Sequence, residues 1–138
     1  MKFKANTLED LEEIAEAFLE LFAHHQIFAF KGEMGVGKTT FISYLAKKMG
    51  IEEQVSSPTF GYVNEYESPR FGIVYHFDLY RINDEEEALD IGIEDYIYDN
   101  HIVFIEWAEN IANLLPENCV WVNMTKVNNE GRTIEVII

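Results

Sequence analysis

The octapeptide Gly32-Glu33-Met34-Gly35-Val36-Gly37-Lys38-Thr39 satisfies the pattern G-x-x-x-x-G-K-[ST] at each fixed position, and no other segment constrains this chain as strongly. Glycines here let the backbone turn through conformations that a side chain forbids, so that successive N–H groups converge on one hollow sized for phosphate. Lys38 then meets the terminal phosphates. The Thr39 hydroxyl, at the start of the following helix, is placed for a magnesium ion, and the helix N-terminus adds a favourable dipole. The pattern has this meaning only between a strand and a helix. Ile27-Phe28-Ala29-Phe30 is a short apolar run suited to a buried strand, while Phe41, Leu45, Ala46 and Met49 recur at helical spacing up to Gly50, a natural stop. A nucleotide site is the expectation.

With 138 residues and 48% hydrophobic content, the chain reads as one domain, residues 1–138, with enough apolar material for a real core. No run approaches the length needed to cross a membrane, and the start carries no apolar signal core. Cys119 is the single cysteine, which excludes an intrachain disulfide or a multi-cysteine zinc site. A cytoplasmic location is expected. The 10 Lys plus Arg against 25 Asp plus Glu leave a formal charge of -15, so most of the surface repels nucleic acid. Direct DNA binding is not expected. The acidic run Asp84-Glu85-Glu86-Glu87 with Asp90 reads as a solvated helix start, where acids favour the positive end of the dipole.

The remaining periodicities predict an α/β fold with a mixed central sheet, helices on both faces and antiparallel hairpin additions. Thr7 has the character of an N-cap, with Leu8, Leu11, Ile14, Ala15, Phe18, Leu21 and Phe22 on one helical face. Two β-rich stretches, 61–67 and 71–77, flank Ser68-Pro69-Arg70 as a hairpin. Helical pieces over 85–98 break near Gly92, His101 to Ile105 forms a central buried strand, and Trp107 to Leu115 is a short helix. Val120-Trp121-Val122 and 133–138 close a hairpin around Asn128-Asn129-Glu130-Gly131.

Two acids, Asp78 and Glu106, follow apolar strands. Ligands in open α/β sheets sit beyond the carboxyl ends of strands, where carboxylates hold magnesium or orient an attacking water. Either acid alone serves equally well as a cap for the next helix. Thr59, in Ser57-Pro58-Thr59-Phe60, occupies the place of a switch threonine that senses the outer phosphate, although proline-shaped strand geometry explains the segment too. Arg81 and Arg132 are candidates for a base or phosphate contact. The four histidines lack metal-ligand spacing, and His76 and His101 read as strand residues without catalytic duty.

The combination of the phosphate loop with Thr40, then Ser57-Pro58-Thr59-Phe60, His76-Phe77-Asp78-Leu79-Tyr80-Arg81 and Ile105-Glu106-Trp107 resembles the TsaE (YjeE) family across nearly the whole chain. That resemblance implies a P-loop ATPase needed for threonylcarbamoyladenosine modification of tRNA beside the anticodon, with ATP and Mg2+ as cofactors. It implies magnesium ligation by Thr39 and Glu106, and phosphate binding by Lys38 with the loop residues Met34, Gly35, Val36, Gly37, Thr39 and Thr40. Asp78 would be needed for hydrolysis, with Glu106 and Lys38 completing the catalytic set. Arg132 matches a family position near the base, and Thr7 would approach the nucleotide. The implied partners are TsaD and TsaB, with tRNA reached only through their complex, and the implied turnover is weak until they stimulate it. Trp107 would couple the metal site to the partner surface or fill the core. Glu33 stands where aspartate is usual and Ala108 where proline is common. Three other readings use the same loop: a small-molecule kinase, a nucleotide-dependent regulatory module, and a GTP switch, for which the N-K-x-D base-reading motif is missing.

Overall fold

The computed structural model describes residues 1–58 and 61–138. Its strands form one seven-stranded sheet in the order β1-β7-β6-β2-β5-β4-β3, from β1 (Lys2–Ala5), β2 (Ile27–Lys31), β3 (Val63–Ser68), β4 (Gly72–Asp78), β5 (Ile102–Glu106), β6 (Val120–Lys126) and β7 (Arg132–Ile137). The four inner strands β6, β2, β5 and β4 run parallel. The added strands β1, β7 and β3 pair antiparallel at the two sides of the sheet, β3 with β4 and β7 with β6 as the hairpin readings expected. A mixed α/β sheet follows.

The alternation of side chains along each strand divides the core into two layers. On one face, Phe28 and Phe30 of β2 and Phe104 of β5 pack with Phe18, Phe22, Phe41 and Leu45, which come from α1 (Leu8–Ala17), a 3-10 segment (Phe18–Ala23) and α2 (Lys38–Lys48). Edge-to-face aromatic contacts lock this layer, with Phe18 and Phe41 centroids 5.2 Å apart and Phe22 and Phe28 5.0 Å apart. On the opposite face, Ala29, Val103 and Ile105 meet Ala88, Ile93, Ile97 and Ile111. Those residues come from α3 (Glu85–Asp90), α4 (Ile93–Ile97) and a 3-10 helix (Ala108–Leu114). Burial on both faces explains why β5 is apolar throughout until its final glutamate.

Several local readings shift. The expected long first helix tightens into 3-10 winding from Phe18 onward, although no glycine or proline stands there; the contacts of Phe18 with α2 and Phe22 with β2 accompany that winding. Thr7 caps α1 as expected, with a reciprocal capping box: its hydroxyl accepts from Asp10 N–H and the Asp10 carboxylate accepts from Thr7 N–H. The segment after β5 is a 3-10 helix interrupted at Ile111 rather than a regular short helix. Strand β1 was not legible, because Lys2-Phe3-Lys4-Ala5 offers only two apolar residues. Asp84 caps α3 by accepting from Glu87 N–H, which matches the reading of the acidic run as a helix start.

Candidate functional site

The phosphate loop joins β2 to α2 and lies beyond the carboxyl edge of the sheet. Gly37 precedes the first turn of α2 with φ +107, a region that side chains avoid. Gly32 is demanded by space: a Cβ there would stand 2.8 Å from the Met124 carbonyl oxygen and from Val36 Cγ1. These two constraints explain the glycines that open and close the loop.

Strand register brings the acids to the same edge. Phe30 of β2 pairs with Glu106 of β5, and Glu106 pairs with Asp78 of β4, so both carboxylates finish their strands beside the loop. A hollow of ≈ 380 Å³ is lined there by Met34, Gly35, Gly37, Lys38, Thr39 and Thr40 from the loop side. Asp78, Glu106, Ser57, Tyr80 and Trp107 complete its wall. A second hollow of ≈ 530 Å³ shares Gly35, Gly37 and Thr40 and adds Thr7, Val36 and Arg132. Lys38, Asp78, Glu106, Thr7, Arg132 and the loop residues from Met34 to Thr40 therefore each line one of two hollows on either side of one loop. Arg132 is tied to that loop, because its Nε donates to the Val36 carbonyl at 2.7 Å. Arg81 is exposed and lies over the Tyr62 ring at 5.7 Å, outside both walls. The larger hollow of ≈ 640 Å³ near Gly50 is lined by Glu52, Glu53 and Glu67 and by no cation, so it would repel phosphate.

The pivotal pair is Thr39 and Glu106. The Thr39 hydroxyl donates to the Glu106 carboxylate with both oxygens at 2.9 Å. Ser57 Oγ lies 3.2 Å from Thr39 Oγ1 and supplies the hydrogen there, since that of Thr39 is already engaged. Glu106 is only 3% exposed. Lys38 is buried as well, donating to the Gly32 carbonyl with its Nζ 3.6 Å from the centre of the Trp107 ring. Burial pushes the Lys38 ammonium below its ordinary pKa, and the carboxylates of Glu109, Glu106 and Asp78 oppose that shift. Trp107 holds this place with φ 59, an unusual backbone state for a bulky residue. Asp78 caps the following turn as well, its Oδ1 accepting from Tyr80 N–H at 3.0 Å.

The threonine of the expected switch, Thr59, lies outside the described residues together with Phe60. His76 lies in β4, as its sequence reading expected, but its pairing was not read from the sequence. It is fully buried, and its Nε2 stands 2.7 Å from Glu106 Oε2. The available signal was a polar residue in the apolar strand Ile73 to Phe77, since a buried polar group needs a partner. Tyr66 was read only as part of a hairpin, yet its hydroxyl lies 3.2 Å from His76 Nδ1.

The donor set suits a hard cation. A carboxylate and a hydroxyl, with phosphate oxygens to come from a ligand, match the way magnesium is held beside nucleotides. Among the described residues no cluster of three or more acidic, histidine or cysteine side chains forms an all-protein metal cage. The described residues also contain no helix long and apolar enough to cross a membrane.

Fold and site together define an α/β protein of mixed sheet, with a G-x-x-x-x-G-K-T loop at the sheet's centre and two strand-end carboxylates facing it. A family model described as "Threonylcarbamoyl adenosine biosynthesis protein TsaE" matches residues 5–134. The chain belongs to the TsaE family. It is 37% identical over 127 residues to the tRNA threonylcarbamoyladenosine biosynthesis protein TsaE of Haemophilus influenzae, covering 91% of this chain and 79% of that one. The corresponding protein of Rickettsia bellii is 34% identical over 132 residues, covering 95% and 90% of the two chains. A crystal structure of Bacillus subtilis YdiB superposes with a TM-score of 0.75 at 23% identity, covering 97% of this chain and 82% of that one, which supports the fold.

Proposed function

We propose that this chain is a magnesium-dependent ATPase acting in threonylcarbamoyladenosine modification of tRNA, through a complex of TsaB and TsaD. The observation that carries this reading is the Thr39–Glu106 pair, joined at 2.9 Å at the wall of the phosphate-loop hollow. Thr39 and Glu106 would hold magnesium, and Lys38 and the loop amides would hold the phosphates. Bound magnesium would neutralise charge on the phosphate oxygens during transfer to water. Asp78, in register with Glu106, would orient the attacking water. The second hollow, with Thr7 and Arg132, would receive the base and sugar. The net charge of -15 supports action on tRNA through partners rather than by direct grip.

The test measures ATP and GTP hydrolysis by the purified chain, with and without magnesium and the matching TsaB–TsaD pair. Magnesium-dependent ATP turnover that rises with the pair is expected. Turnover unchanged by the pair refutes the partner-driven reading, and phosphate transferred to a metabolite would establish a kinase instead. An Asp78→Asn variant should keep ATP binding and lose hydrolysis.

A further inference from the structure

His76 and Tyr66 sit where an apolar side chain would pack with less risk. The register places Asn64 opposite His76, Tyr66 opposite Val74 and His76 opposite Phe104. These residues therefore share the α2 face of the sheet with Glu106, two positions beyond Phe104. A fully buried imidazole is tolerated only when both nitrogens are paired, and here both are. An ionised carboxylate can only accept, so His76 Nε2 donates to Glu106. With the imidazole neutral, Nδ1 accepts from the Tyr66 hydroxyl. Burial raises the pKa of that hydroxyl, which keeps it a donor.

The chain of contacts continues outward. The Ser56 carbonyl accepts from Asn64 Nδ2 at 2.9 Å, and the same amide nitrogen donates at 3.4 Å to the Tyr66 hydroxyl oxygen, whose own hydrogen goes to His76. The neighbouring Ser57 hydroxyl meets Thr39 directly. The Ser56-Ser57 segment is thus fastened to both members of the Thr39–Glu106 pair, once through β3 and β4 and once through the loop threonine. A hydrogen-bonded neighbour fixes the orientation of a carboxylate ligand and tunes its affinity for the metal.

We propose that His76 and Tyr66 are positioning residues that hold the Glu106 carboxylate in its magnesium-binding orientation and tie it to the Ser56-Ser57 segment. The proposal rests on the reading of Thr39 and Glu106 as the magnesium pair. It assigns no chemistry to either side chain: each acts through Glu106.

The decisive quantity is the magnesium gain, the ratio of ATP dissociation constants in chelator and in saturating Mg2+, measured by calorimetry. Mn2+ affinity of the ATP-bound protein, read by electron paramagnetic resonance, provides a second measure. Tyr66→Phe keeps the ring and removes one hydrogen bond. It should leave ATP affinity in chelator at the wild-type level and cut the magnesium gain by about fivefold. His76→Leu should cut it by about 10-fold to 100-fold, and His76→Gln, which still offers an N–H to Glu106, should recover most of that loss. Variants that lower thermal stability but keep the wild-type gain would overturn the positioning role while leaving the magnesium site intact. A wild-type chain with no magnesium gain would overturn the site reading, and this proposal with it. Tyr66→Phe decides the matter even where the leucine variant fails to fold.

Discussion

Replacing Glu106 by glutamine separates what the carboxylate does for the fold from what it does for a metal. Glu106 is 3% exposed and accepts from Thr39 at 2.9 Å and from His76 at 2.7 Å. Hydrogen bonds to a charged group contribute about 1.5–3 kcal/mol each, against about 1 kcal/mol for neutral ones. Exchanging two of the former for two of the latter therefore weakens the pair by about 1–4 kcal/mol. Burying the charge costs an amount of the same order, several kcal/mol, and glutamine removes that cost. The amide keeps both partners of the carboxylate. Its oxygen accepts from Thr39, its N–H donates to His76 Nε2, and the ring proton moves to Nδ1 and donates to Tyr66. The Tyr66 hydroxyl then turns to the Ser56 carbonyl, which lies 3.4 Å away. Glu106→Gln should thus change stability by less than about 1.5 kcal/mol, or about 6 °C in Tm for a domain of this size. Glu106→Ala strands both Thr39 and His76 and should cost about 2–6 kcal/mol before any cavity contribution. Both should lose the magnesium gain in ATP binding by about 10-fold or more. Thermal unfolding in chelator and calorimetric ATP titrations with and without Mg2+ provide the readouts. A glutamine variant as unstable as the alanine variant refutes the hydrogen-bond exchange. A glutamine variant with the full magnesium gain refutes Glu106 as a ligand.

Two further perturbations probe the surroundings. Gly32→Ala would drive a Cβ to 2.8 Å from the Met124 backbone oxygen and Val36 Cγ1, and backbone cannot yield as a side-chain tip can. A loss of about 1–3 kcal/mol is expected, together with weaker ATP binding; an unchanged Tm and affinity would show that the loop has room to spare. Burial pushes the Cys119 thiol from an ordinary 9.0 up to about 12. The native thiol should resist a disulfide reagent at pH 8 and react promptly once urea unfolds the chain. Because the unfolded state loses this proton first, the group's contribution to stability is intact below pH 9. It then falls by about 1.4 kcal/mol per pH unit as pH rises towards 12. Cys119→Ala should flatten that alkaline slope, and an equal slope in both proteins would contradict the shift.

The sequence alone determined the local pieces whose geometry depends on short-range sterics and periodicity. The glycines of 32–37 predicted a tight turn, Phe41 to Met49 a helix, Thr7 a cap, and the apolar runs before Asp78 and Glu106 two strands ending in acids. Those pieces were enough to nominate residues for the first hollow, whereas the places of Thr7 and Arg132 near a nucleotide were what the family resemblance implied. Tertiary structure alone decided which of them touch. Strand order sets β5 between β2 and β4, and parallel register then aligns Phe30, Glu106 and Asp78 at one edge. The same register turns His76 from an ordinary strand residue into the neighbour of Glu106. It carries Arg132 to the Val36 carbonyl, 96 positions away in the chain. Strand β1 exists because β7 offers an edge to pair with, not because four residues at the start favour extension. Periodicity reports which face of an element is buried, whereas the partner it meets is set by sheet order and register. A period-two pattern reads the same beside any neighbour.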